Sequence, residues 1–161
     1  MKQETKDIQF GIGLGVLKFG MSREQVKTIL GEPNEKELHY DEDINVDASE
    51  LWHYDDLDVS ISFDQEEDWK LVTLAVTSNF YQLNGKSLIG LSKKALMAEL
   101  KTSQIEDLDI EDLSSEDSPN HVLLSSLSLG VNFWLDAGIL EEIQWGPDFI
   151  DDDTIKWPNL D

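Results

Sequence analysis

The sequence predicts an α+β fold made of two helix-plus-meander units, and three observations carry that reading. The segment Gly20-Met21-Ser22-Arg23-Glu24-Gln25-Val26-Lys27-Thr28-Ile29-Leu30 is echoed seventy residues later by Gly90-Leu91-Ser92-Lys93-Lys94-Ala95-Leu96-Met97-Ala98-Glu99-Leu100. Each copy runs through a polar, acidic stretch into segments with apolar residues at every second position, the mark of half-buried strands. Hydrophobic content of 40%, with five Trp and six Phe, supplies a core for 161 residues despite a net charge of −22. The expected arrangement is one curved antiparallel sheet with both helices packed on one face. Residues 1–80 form the first unit and residues 81–161 the second, together one compact domain.

The elements follow in order. Gly11-Ile12-Gly13-Leu14-Gly15-Val16 lacks the third glycine of a dinucleotide loop, and no G-K-[ST] follows it at phosphate-loop spacing. It reads as a flexible entry into a short strand, Val16-Leu17-Lys18-Phe19. The first helix starts at Ser22, whose hydroxyl can accept from the free N–H groups of the first turn, with Gln25 placed to complete a capping box. Met21 and Val26 form the staple around it, Val26, Ile29 and Leu30 share a face, and Gly31 and Pro33 end the helix. In the second copy Ser92 is the cap and Leu91 and Leu96 the staple. Ala95 breaks the box, and Lys101-Thr102-Ser103 replaces the Gly-x-Pro exit, so this helix is expected to end differently.

After each helix three antiparallel strands are expected. They are Leu51-Trp52-His53-Tyr54, residues 57–64 and residues 71–76 in the first unit, then Val122-Leu123-Leu124, residues 129–136 and residues 140–145 in the second. Residues 77–87, with Asn84-Gly85, read as the connection, and the tail is expected to pack Trp157 onto the body. The alternation leaves one sheet face wet. Ser60, Ser62, Asn132 and Trp134 fall on it, and Trp134 there marks either an interaction surface or a patch covered by a loop.

The charge is spread evenly: 18 acidic and 7 basic residues in 1–80, 16 and 5 in 81–161. Such a field repels nucleic acid and anionic membranes and attracts basic proteins or cations, and it also favours solubility. No cysteine is present, so disulfides and thiolate chemistry are excluded. The charged first residues lead into no apolar run. The expectation is therefore a cytoplasmic chain without secretory signal, lipid anchor or transmembrane helix.

The repeated apolar-Gly-apolar-Ser start, the short helix, the Gly31-x-Pro33 exit and the Trp- and Tyr-bearing meander together resemble the β-lactamase inhibitor protein fold. The small lipoprotein subunit of the outer-membrane β-barrel assembly machine shares this half-repeat. The resemblance covers nearly the whole chain as two units, and it implies a sheet whose outer face and adjoining loops grip a partner protein. No binding residue of that family is carried over by position.

Motifs for chemistry are sparse. Asp41, Asp43, Asn45 and Asp47 stand at positions 1, 3, 5 and 7 of a calcium loop, but Val46 occupies the glycine position and Trp52 the place of the bidentate Glu. The run Glu106, Asp107, Asp109, Glu111, Asp112, Glu116, Asp117, with Ile105, Leu108, Ile110 and Leu113 interleaved, reads as a solvated loop, a half-buried edge segment or a lid. His39, His53 and His121 make no zinc spacing, and His53 reads as a strand residue rather than a base. No G-x-S-x-G elbow is present. The sequence therefore points to a non-enzymatic protein-binding module, an acidic immunity or inhibitor protein masking a basic partner, with no cofactor, no metal and no catalytic residue assigned. Tyr54, Ser62, Asn132 and Trp134 are the candidate contact residues. The alternatives are a calcium-dependent module, a DNA mimic, or an enzyme assembled from distant residues.

Overall fold

The computed structural model describes residues 5–39, 48–117, 120–126 and 128–160. The four calcium-loop candidates, Asp41, Asp43, Asn45 and Asp47, lie outside them. The fold is α+β, mostly antiparallel sheet with two helices. Three short strands come first, β1 (Ile8–Gln9), β2 (Gly13–Leu14) and β3 (Leu17–Lys18), followed by α1 (Arg23–Leu30). A four-strand meander comes next: β4 (Glu35–His39), β5 (Ser49–Tyr54), β6 (Val59–Asp64) and β7 (Lys70–Val76). The hairpin β8 (Gln82–Leu83) and β9 (Lys86–Ser87) leads to α2 (Lys93–Thr102). A second meander follows: β10 (Leu108–Asp112), β11 (Val122–Ser126), β12 (Val131–Asp136) and β13 (Ile139–Trp145). The chain ends in the small pair β14 (Asp148–Phe149) and β15 (Ile155–Lys156).

Both meanders share one eight-stranded sheet, ordered β10-β11-β12-β13-β7-β6-β5-β4 and joined by antiparallel pairing of β13 with β7. Each meander has four strands where three were expected. The additional ones, β4 and β10, are the two edges. Both are largely exposed; β4 carries no apolar alternation, and in β10 only Leu108 and Ile110 alternate with acids. The acidic run after α2 is thus in part an edge strand, with Ile110 53% exposed.

The helix starts form as the sequence dictates. Ser22 Oγ accepts from the Gln25 N–H at 3.1 Å, and Gln25 Oε1 accepts from the Ser22 N–H at 2.9 Å, closing the capping box. Ser92 Oγ accepts from the Ala95 N–H at 3.2 Å with no reciprocal bond, and this helix runs two residues longer than α1. Val26 and Leu30 from α1, and Leu96 and Leu100 from α2, enter one core with Trp52, Ile61, Phe63, Leu74, Phe133, Ile143 and Trp145 from the sheet.

The Gly-apolar-Ser motif has the same backbone role twice. Gly20 (φ +96°) and Gly90 (φ +98°) both need the left-handed region. The Gly20 N–H donates to the Leu71 carbonyl at 3.0 Å, and the Leu71 N–H donates to Met21 at 2.8 Å. The Gly90 N–H donates to Leu140 at 2.8 Å, and the Leu140 N–H donates to Leu91 at 2.9 Å. Each helix start is thereby pinned to the last strand of its own meander. Register shifts also fall at corresponding places, Ser62/Phe63 in β6 and Trp134/Leu135 in β12.

The glycine-rich segment is an ordered small sheet rather than a flexible entry. A Cβ on Gly13 would sit 2.0 Å from the Leu17 carbonyl oxygen, and the Trp145 indole donates to the Gly13 carbonyl at 3.1 Å. The bare backbone is what allows β2 and β3 to close over the end of β13. Trp157 packs onto the body as expected, against Gly20 and under Lys70 Nζ, 5.1 Å from its ring centroid.

Candidate functional site

Strand pairing builds the open face as rows running across the sheet. One row holds Asp109, Ser125, Asn132, Gln144, Ala75, Ser60, His53 and Glu35, one residue from every strand. Ala75 is its sole apolar member, which follows from the period of two: along the six inner strands the neighbours of these residues face the core. A second row holds Glu111, Leu123, Trp134 and Glu142. Ser62 lies opposite Thr73 on the other side of the polar row.

Three of the four predicted contact residues stand on this face, namely Ser62, Asn132 and Trp134, and all three are half-buried. Tyr54 does not. It pairs with Val59, is only 4% exposed in the core, and its hydroxyl donates to the Gly31 carbonyl at 2.8 Å. The contact assignment for Tyr54 is corrected accordingly: it anchors the exit of α1.

Trp134 is the unusual residue of the face. Its indole Nε1 is buried and has no hydrogen-bond partner among the described residues. A buried donor left unpaired costs about 1–3 kcal/mol. The His121 ring lies tilted 6.0 Å from it. Its cross-strand partner Glu142 is half-buried, and burial pushes that carboxyl above its ordinary value.

Asn132 and Gln144 open onto a cleft of about 380 Å³. Asp64, Glu66 and Glu67 line it together with Val72, Phe149 and Ile155. Phe149 is 58% exposed. Asp64 is pushed above its ordinary value by burial, with the Glu66 charge adding to the shift. The cleft therefore combines carboxylates with apolar wall, a lining suited to a side chain with an aliphatic stem and a cationic head.

At the other end of the polar row, His53 lies between two partners. Its Nδ1 is 2.9 Å from Ser60 Oγ, and its Nε2 is 2.7 Å from Glu37 Oε2. The bond from His53 holds the Glu37 carboxyl below its usual range. Sequence reasoning passed over this group because Glu37 belongs to an edge strand with no apolar signature.

On the helix side a cleft of about 350 Å³ holds Arg23, Lys27 and Lys36, but each cation is already paired. Arg23 bonds Glu50 at 3.0 Å and lies 4.6 Å from the Trp69 ring centroid. Lys27 and Lys36 both reach Glu32. This cleft offers no free positive charge to an anion. Among the described residues no three His, Asp or Glu side chains converge as a metal-holding group, and no helix is long and apolar enough to cross a membrane. Compared with known protein families, with curated proteins and with solved structures, the chain matches none of them.

Proposed function

We propose that the chain is a non-enzymatic protein-binding module, an acidic immunity- or inhibitor-type protein that masks a basic partner with the open face of its sheet. The observation that carries this reading is Trp134, a large aromatic kept on the polar face with its N–H buried and unpaired among the described residues. Its donor gives nothing back to the fold, which is the mark of a side chain retained for contact. The desolvated carboxyl of Glu142 beside it, and that of Asp64 across the polar row, gain from any cation brought beside them. The net charge of −22 speeds encounter with a basic protein and disfavours nucleic acid and anionic membranes. In this reading Ser62, Asn132 and Trp134 make the contacts in the cytoplasm. Residues 1–80 and 81–161 are two copies of one unit, and the sheet curves as in β-lactamase inhibitor protein-like folds.

The test is capture of partners from lysate at moderate and high salt, with wild type and Trp134→Ala in parallel. A stoichiometric partner held by the wild type at high salt and released by a folded Trp134→Ala variant supports the proposal. Equal retention by both, or only salt-labile basic proteins, overturns it.

A further inference from the structure

We propose that Ser60 is a nucleophile, activated by His53 and Glu37, that accepts one small acyl group on the open face of the sheet. The three residues come from three successive strands. Ser60 and His53 are directly opposed, and Glu37 reaches His53 diagonally from β4, where Glu35 is the direct partner. Both ring nitrogens are engaged, Nδ1 by Ser60 Oγ at 2.9 Å and Nε2 by Glu37 Oε2 at 2.7 Å. A carboxylate can only accept, so in the neutral imidazole Nε2 carries the proton and Nδ1 keeps its lone pair. The Ser60 hydroxyl then donates to Nδ1. This is a hydroxyl backed by a base that is itself oriented by a carboxylate, with the two ring nitrogens exchanged relative to the serine-protease arrangement.

The corresponding pair in the second meander shows that the sheet alone does not create this chain. There Asn132 faces Ser125, with Ser125 Oγ donating to Asn132 Oδ1 at 3.0 Å and no imidazole between them and a carboxylate. Beside Ser60 opens a cleft of about 180 Å³, lined also by Asp55, Asp58, Ala75 and Thr77. Its size suits an acetyl-sized group, and the two aspartates repel anionic donors such as acyl phosphates. A neutral ester is the donor class that fits.

In the step, Ser60 Oγ attacks the ester carbonyl carbon and an O–C bond forms. The hydroxyl proton passes to His53 Nδ1, and Glu37 stabilises the resulting imidazolium. Collapse breaks the bond to the leaving alcohol, which takes the proton from Nδ1; nothing is oxidised or reduced. Ser60 sits on an inner strand whose own backbone amides serve the ladder, so its main chain supplies no oxyanion hole. A single slow acylation is therefore expected, not turnover, which leaves the binding reading untouched.

The experiment incubates the full chain with p-nitrophenyl acetate, follows nitrophenolate release, and maps the acetyl group by mass. One acetyl per chain on Ser60 is expected, and none on Ser125. Ser60→Ala should abolish this label, and His53→Ala should slow it on the order of a hundredfold. Added imidazole should restore acetylation of Ser60 in His53→Ala, and Glu37→Asp should retain more of the rate than Glu37→Ala. Acetyl groups scattered over lysines without enrichment at Ser60, or a Ser60 rate indifferent to His53→Ala in a folded variant, would overturn the proposal.

Discussion

Tyr54 and Tyr81 each direct a hydroxyl at a main-chain carbonyl, of Gly31 and Leu57, and burial pushes each phenol up to about 12. The folded value lies above the ordinary 10, so their contribution to stability is whole below pH 10 and is lost as the pH rises through 12. Denaturant unfolding measured across that range should show stability falling, and Tyr54→Phe should flatten the fall while costing about 1 kcal/mol at neutral pH. Glu142 has the same sign in the carboxylate range: burial raises its value, so ionisation opposes folding. Glu142→Gln should stabilise the free protein at pH 7 by roughly 0.5 kcal/mol and make no difference in acid, as thermal melts at the two pH values would show. Trp134, Ser62 and Asn132 were legible on the open face because alternation along residues 57–64 and 129–136 is regular. Tyr54 was not, because its facing depends on the pairing of β5 with β6. A connection one residue shorter or longer would have turned it outward.

The strongest local signals, caps and staples, became the two helices, and the structure adds why the glycine before each cap is needed. Gly20 and Gly90 share a positive φ, but their surroundings differ. A Cβ on Gly20 would meet Trp157 Cε3 at 3.1 Å, whereas around Gly90 there is open space. Gly90→Ala should therefore cost about 1 kcal/mol from the backbone alone. Gly20→Ala should cost more, and the difference in urea midpoint should shrink when Trp157 is first replaced by Ala. The edge β4 escaped sequence reading, whereas β10 falls in the acidic run for which an edge segment stood beside a solvated loop and a lid. An edge strand exposed on both faces needs no apolar residues, so Glu35–His39 carries no periodicity to detect, and Leu108 and Ile110 give β10 only a short alternation inside an acidic run. With β4 unseen, Glu37 could not be placed beside His53, and the Ser60 cluster stayed hidden. Of the small sheet, β3 lies within the short strand expected at residues 16–19, while β1 and β2 escaped because glycine reads as freedom in a sequence and here serves close approach.

Across the molecule, one continuous core runs beneath both meanders, and β7 pairs with β13 at the middle of the sheet. Separating the halves would expose an inner strand edge and the apolar face beneath it. Residues 1–80 and 81–161 expressed apart should each lack a cooperative melt, and mixing them should restore one. The charge acts at this scale too. Self-repulsion at −22 opposes compactness, so adding salt should raise the melting temperature without changing the sheet. The same salt should slow encounter with a basic partner, so stability and association rate should move in opposite directions.

The two edges of the sheet carry one further consequence. Glu35 and Glu37 on one edge, and Asp109, Glu111 and Asp112 on the other, set carboxylates along the edge strands, whose outer backbone groups pair with no further strand among the described residues. While ionised they keep a second chain from adding a strand. Acid thins that guard at both ends of the same sheet, Glu37 and Asp112 yielding last because their bonds hold them below the usual range, while long-range repulsion vanishes near the sequence pI of about 4.2. Each molecule then becomes a link with two open ends. Strand-to-strand polymers, detectable by amyloid-binding dyes and reversible at first on neutralisation, are the form in which this protein should leave solution.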